Sequence, residues 1–189
     1  MDAAFLKDKF ATAPSYARYV ETGTDEQQRR WQQVYSLATL TDKQRDLVAG
    51  FTRSMNILVV SGVWCGDCVQ QCPLIARIAE ANNARVDLRF VDRDQNHDLI
   101  ERVRINAGDR IPVALMMAED FELCAAYGER TISRYRALAI RQLGAACPTG
   151  IAAPDKDELS ATLSDWLTEI ERVQLMLRLS PRLRHRHGD

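Results

Sequence analysis

The sequence predicts an α/β three-layer sandwich, with a central mixed sheet, a helical N-terminal extension and an extra C-terminal helix. Three observations lead there. Residues 56–61 (Asn-Ile-Leu-Val-Val-Ser) form a short β-branched run of the kind buried on both faces of a sheet, and a helical pattern follows at once. Residues 85–91 alternate Val86, Leu88 and Phe90 with Arg85, Asp87 and Arg89, as a half-buried strand does, so strand, helix and strand make a parallel unit with a right-handed crossover. Residues 111–117 and 121–127, separated by Glu119-Asp120, read as a hairpin that adds antiparallel strands and makes the sheet mixed.

The remaining elements follow in chain order. Residues 1–53 form the helical extension, where positions 25–40 place Trp31, Val34, Tyr35 and Ala38 at helical spacing and Thr41 or Asp42 caps a helix running to about Arg53. After the first strand, Val69, Leu74, Ile75, Ile78 and Ala79 line one helix face until Asn82-Asn83. A short helix covers about 96–104, with Asp92 and Asp94 as turn residues ahead of it. Gly128 closes the hairpin, Thr131 or Ser133 starts a further helix, and Gly144 ends both it and the core of residues 54–144. Residues 145–180 are the C-terminal helical extension, with Asp155 and Glu158 as a capping box and Leu159, Leu163, Trp166, Leu167, Ile170, Val173 and Leu177 as its stripe. Residues 181–189 read as a basic, flexible tail fraying into solvent.

Composition narrows the function. At 189 residues, with 46% hydrophobic and 27% charged side chains, the chain suits one domain with a sizeable core. A formal net charge of −1 provides no field for nucleic acid or an anionic membrane, so neither is expected as a partner. No run of about 18 apolar residues is present, and Lys7, Asp8 and Lys9 stand where a signal peptide needs apolar residues, which points to the cytoplasm. Five cysteines, an odd number, do not read as a secreted disulfide framework.

The chemistry lies in Trp64-Cys65-Gly66-Asp67-Cys68, directly after the buried strand. Residues three apart in the first turn of a helix have Cβ atoms about 5–6 Å apart, so a small adjustment lets two sulfurs bond reversibly. Cys65 at the strand-to-helix junction meets unsatisfied N–H groups and the positive helix end, which favour its thiolate, so it attacks and Cys68 resolves. Asp67 works against this: at an assumed ~6 Å it opposes the thiolate by roughly 0.7–2.8 kcal/mol, against about 0.3–2 kcal/mol from the helix terminus. A strongly acidic Cys65 is therefore not expected. Pro112 at the head of a strand supplies no N–H, and a cis bond there would expose neighbouring backbone for strand-like pairing with a substrate chain. Trp64 reads either as a shield and apolar platform beside Cys65 or as an ordinary half-buried tryptophan.

Trp64-Cys65-Gly66-Asp67-Cys68 after a buried strand, Pro73 five residues beyond Cys68, Ile111-Pro112 opening a later strand, and Gly128 closing the hairpin together resemble thioredoxin over about residues 54–144. The resemblance implies a thioredoxin-like fold, a redox-active Cys65–Cys68 pair, Pro73 kinking the active-site helix, and a cis Ile111-Pro112 bond facing the pair. It implies disulfide-containing client proteins and a separate reductase as electron donor, with no bound cofactor. Trp64, Ile111 and Pro112 would touch the client; Gly66, Asp67, Cys72 and Pro73 would modulate the pair.

This sequence departs from that pattern in three ways. Gly66-Asp67 replaces Gly-Pro. Val59, six residues before Cys65, and Leu88 stand where the family carries a buried acid and a lysine, so proton transfer from Cys68 must use water or Asp67. Cys72 lies on the same helical face as both motif cysteines and reads as a small buried side chain, as a third ligand to zinc or an iron–sulfur cluster with Cys65 and Cys68, or as a third exchanging thiol. Cys124 reads as core, Cys147 as a loop residue, and His97, His185 and His187 as solvated. The functional readings are thus a thiol–disulfide oxidoreductase, a non-catalytic peptide-binding or redox-sensing module, and a metal protein.

Overall fold

In a computed structural model, described for residues 1–143 and 157–189, four N-terminal helices precede the sheet: α1 (Ala3–Thr12), α2 (Tyr16–Val20), α3 (Asp25–Leu37) and α4 (Asp42–Ala49). Thr24 and Thr41 each accept from the backbone three residues on, while Gln27 and Gln44 reach back in reciprocal capping boxes that start α3 and α4. The last of these helices stops at Gly50, short of the expected Arg53, and residues 1–20 form two helices where the sequence pattern resolved none separately.

The core comprises β1 (Met55–Ser61), α5 (Gly66–Glu80), β2 (Val86–Asp92), α6 (His97–Ile100), β3 (Val113–Ala118), β4 (Leu123–Gly128) and α7 (Ile132–Leu143). The sheet order is β2-β1-β3-β4, parallel between β1 and β2 and antiparallel elsewhere, with helices on both sides. The expected strands are thus present, each within two residues of its predicted bounds. The central strand β1 is buried almost throughout, because both faces are covered and each β-branched residue meets side chains above or below.

The N-terminal extension protects the edge strand β2: the Phe90 N–H donates to the Pro14 carbonyl at 3.0 Å, outside the ladder with β1. Tyr16, Tyr19 and Trp31 then pack around Phe90, with ring centroids 5.3–6.5 Å from it. On α5, Pro73 supplies no N–H, yet the helix continues to Glu80 and buries Cys68, Gln71, Cys72, Leu74, Ile75 and Ile78.

At the C-terminus, α8 (Glu158–Leu179) packs on α5 and α7. Its cap is Asp157, whose side chain accepts from Ser160 N–H; the expected cap Asp155, the stop at Gly144 and Cys147 lie outside the described residues. The tail departs from expectation. Residues Pro181–His187 form α9, which buries Leu183 and pairs Arg182, Arg186 and His187 with Glu119 and Asp120 of the β3–β4 turn. Charge dominated the sequence pattern there, but one well-placed leucine and an acidic turn opposite give the segment somewhere to dock. Among the described residues, no helix is long and apolar enough to cross a membrane.

Candidate functional site

Strand β1 ends at Ser61, Gly62 turns the chain, and α5 begins at Gly66, so the Trp64–Cys68 segment sits at the C-terminal edge of the parallel strands. The turn at Gly62 has no room for a side chain, since a Cβ would stand 2.8 Å from the Trp64 ring and 3.0 Å from Ile111 Cδ1. Gly66, by contrast, faces open space and any small residue fits there.

Cys65 is the N-cap of α5 and is partly exposed; Cys68, one turn inside, is fully buried. The Cys65 Sγ lies 4.0 Å from the Ile111 carbonyl, and the Ile111–Pro112 peptide is cis. Gly128 pairs with Val113 behind this loop, and a Cβ on it would fall 2.2 Å from the Pro112 carbonyl oxygen. Trp64 is 46% exposed beside the pair, with the Arg93 guanidinium 4.6 Å from its ring centroid. Of the predicted residues, Trp64 and Cys65 thus reach the surface, while Cys68, Ile111 and Pro112 lie buried beside them.

The two thiols interact, and both sit above the ordinary thiol range. For Cys65 the contact with Cys68 is the main cause and burial the second, while the N–H groups of Cys68 and Asp67 at the helix end pull it back. For Cys68 burial dominates, Cys72 adds to it, and contacts with Cys65 and Ser61 oppose it. The protons of such a pair belong to both sulfurs together.

Asp67 does not face the thiols as an unpaired charge. Burial penalises its carboxylate, but Arg130 and Arg134 hold it at 2.6 and 2.8 Å and keep its pKa below the ordinary value. The repulsion expected from the sequence is therefore largely neutralised. Arg134 also pairs with Glu158 at 2.5 Å, and the buried Glu129 joins Arg110, Arg130 and Tyr135. Gln71 of α5 donates to the Glu129 carbonyl at 2.8 Å and accepts from the Trp166 indole at 3.2 Å, so α8 braces the active-site helix from below.

Cys72 is fully buried, its Sγ 3.6 Å from the Ser61 hydroxyl, in keeping with the packed-residue reading. Among the described residues, no group of three or more His, Cys, Asp and Glu side chains is arranged to hold a metal ion. Cys124 is only partly buried and donates to the Glu122 carbonyl at 3.5 Å, rather than lying in the core. Asp92 caps a turn by accepting from Asp94 N–H at 2.8 Å.

Three site components escaped the sequence pattern: Ser61, a lone hydroxyl at a strand end; Arg130 and Arg134, which partner Asp67 from more than 60 positions away; and Trp31, whose indole donates to the Val63 carbonyl at 2.8 Å. None carries a local signal. Helical spacing marked Trp31 as core only.

A C-x-x-C pair opening a helix after a central parallel strand, with a cis proline against it, defines a thioredoxin-like domain. The chain belongs to the thioredoxin family, whose profile matches residues 13–139 and so takes in part of the N-terminal helical extension as well as the core. No curated protein matches the sequence significantly. Among solved structures it is similar to a protein of unknown function from Pseudomonas aeruginosa, at 20% identity and a TM-score of 0.67, over 87% of this chain and 95% of that one. An HIV epitope scaffold matches at 18% identity and a TM-score of 0.67, over 88% and 97% of the two chains. Mitochondrial thioredoxin 3 from Saccharomyces cerevisiae matches at 19% identity and a TM-score of 0.34, over 50% and 86%. The first two share the fold along nearly their whole length.

Proposed function

We propose that this protein is a thiol–disulfide oxidoreductase acting on protein disulfides. The observation that carries the reading is the asymmetry of the pair: Cys65 reaches the surface beside Trp64 and the Ile111 carbonyl, while Cys68 waits behind it with no exposure. The Cys65 thiolate attacks a client disulfide, forming a mixed disulfide and releasing one client sulfur as a thiolate. The Cys68 thiolate then attacks Cys65 Sγ, releasing the second client sulfur and leaving the Cys65–Cys68 disulfide, so the client gains the two electrons that the pair loses. A separate reductase returns them. A cytoplasmic setting suits this direction, because thiol pools there keep such a pair reduced.

The upward shift of both thiols favours a second reading, a peptide-binding module that senses redox state slowly. A glutathione redox titration of the wild type and Cys65→Ser, followed by Trp64 fluorescence, separates the two, together with trapping of mixed disulfides by Cys68→Ser. A two-electron transition lost in Cys65→Ser and trapped clients in Cys68→Ser support the oxidoreductase. Peptide binding without either result supports the sensor.

A further inference from the structure

A cavity of about 520 Å³ opens beside the active-site turn, a size within the ~300–1,000 Å³ range of ligand sites. Three helices and the turn itself wall it. From α3 come Gln27, Arg30, Val34 and Leu37, spaced three, four and three positions apart and hence on one helical face. Gly66 and Gln70 come from the first turns of α5, Leu159 from the start of α8, and Trp64 from the turn. Because α3 and α8 belong to the two helical extensions, this cavity is a product of those additions and not of the sheet core. Neither Arg130 nor Arg134, which hold Asp67, lines it.

The walls carry apolar surface that the fold leaves in water. Trp64 and Leu37 are 46% and 63% exposed, while Val34 and Leu159 are half-buried against the core. Contiguous exposed apolar surface of this kind marks a contact site. Among the described residues the only charged one lining the cavity is Arg30, and it is ion-paired with Glu26 one turn earlier on α3. A charged side chain entering there would give up water and meet no free opposite charge. The polar lining has a direction as well. Gln27 Oε1 accepts from the Thr24 N–H at 2.8 Å and Gln70 Oε1 from Arg134 at 3.4 Å, which leaves their Nε2 groups as donors with no acceptor among the described residues. Amide donors beside an apolar wall suit an extended chain, whose backbone carbonyls accept and whose side chain packs.

We propose that this cavity receives the client chain next to its disulfide, in extended form, with a large uncharged apolar side chain seated against Leu37, Trp64 and Leu159. The inference rests on the oxidoreductase reading above and names the class of client. Continuity with the cysteine pair argues for this occupant. Trp64 and Gly66 flank Cys65 in the chain and both line the cavity, so a disulfide that reaches Cys65 Sγ brings its neighbouring residues, about 3.3–3.6 Å apart along an extended chain, to the cavity's edge. Selection is then for leucine, isoleucine or phenylalanine beside the client cysteine and against aspartate, glutamate or lysine there. Loss of water from Trp64 and Leu37 on contact supplies the driving force.

The test uses reduced full-length protein and a short fluorescein-labelled peptide in which serine replaces the client cysteine and leucine occupies the positions beside it, with binding read by anisotropy. Exchanging those leucines for alanine or aspartate weakens binding to the wild type at least about tenfold. Leu37→Asp weakens binding of the leucine peptide by a similar factor, whereas Leu175→Asp, the same change at an exposed leucine of α8 outside the cavity, does not. The peptide series alone decides the matter should Leu37→Asp fail to fold. Equal binding of the leucine and aspartate peptides, absence of binding, or a folded Leu37→Asp that binds like the wild type overturns the inference. So does a dimer in sedimentation that Leu37→Asp dissolves, since a second copy would then be the occupant. The same peptide with its cysteine restored, offered as the oxidised dimer, separates the two claims. Leucine-dependent binding without reduction of that dimer overturns the oxidoreductase reading instead and leaves the cavity as a peptide site.

Discussion

The indole N–H of Trp31 donates to the Val63 carbonyl at 2.8 Å across a buried contact, hooking α3 onto the residue that precedes Trp64 and Cys65. The helical extension is thereby part of the active-site loop's support. Trp31→Phe keeps ring packing against Tyr19 and Phe90 but leaves the buried carbonyl without its donor. The expected loss is about 1–3 kcal/mol of stability, read as a lower urea midpoint with an unchanged slope. An unchanged midpoint contradicts the argument.

Asp67 carries a pH signature. Its folded pKa lies below the unfolded one because Arg130 and Arg134 outweigh burial. Its stabilisation is therefore fully present above the unfolded value of about 3.9, and it disappears as pH falls from there through the lower folded value. Asp67→Asn should lose stability at neutral pH and show a smaller further loss on acidification than the wild type over that window. The same variant leaves two cations near Cys65, so the Cys65 thiolate titration should move down or stay in place. A clear upward movement in thiolate absorbance would refute the charge argument.

Val59→Asp restores a carboxyl to the site where the family keeps its acid. Burial raises the pKa of that carboxyl and costs stability, yet it adds a proton acceptor to the buried strand that leads into the cysteine pair. We expect faster insulin reduction than in the wild type together with a lower melting temperature. Equal reduction rates in the two proteins contradict the view that the missing acid limits turnover.

Leu183 tests whether α9 is a working part of the fold. It is 1% exposed in a helix whose other residues are a proline, three arginines and two histidines. Leu183→Ala removes buried methyl groups and should cost about 2–5 kcal/mol in a denaturant titration, whereas an expendable tail loses nothing.

The strand runs, the C-x-x-C pair and the prolines at 73 and 112 were legible because each rests on chemistry confined to a few consecutive residues. The β1 run locates the sheet centre through its own side chains, and the cysteines lie within one helical turn. The helix start at Thr41 follows the same logic, as its capping box spans four positions, whereas the one at Thr24 went unread. Where a residue's neighbours come from elsewhere in the chain, the pattern says little. Asp67 read as a lone negative charge until Arg130 and Arg134 were beside it, and residues 181–189 read as solvated until the turn at Glu119-Asp120 and the pocket for Leu183 were in place.

By itself, then, the sequence determined the sheet order's ingredients and the position of the cysteine pair at a helix start through short-range periodicity and backbone restriction, while the proline that faces the pair was implied by the resemblance to thioredoxin. Only the tertiary structure decided the electrostatics of the pair and the docking of both extensions. The reason is that burial and partner charge depend on which distant segments share a neighbourhood, and no local pattern of side chains records that.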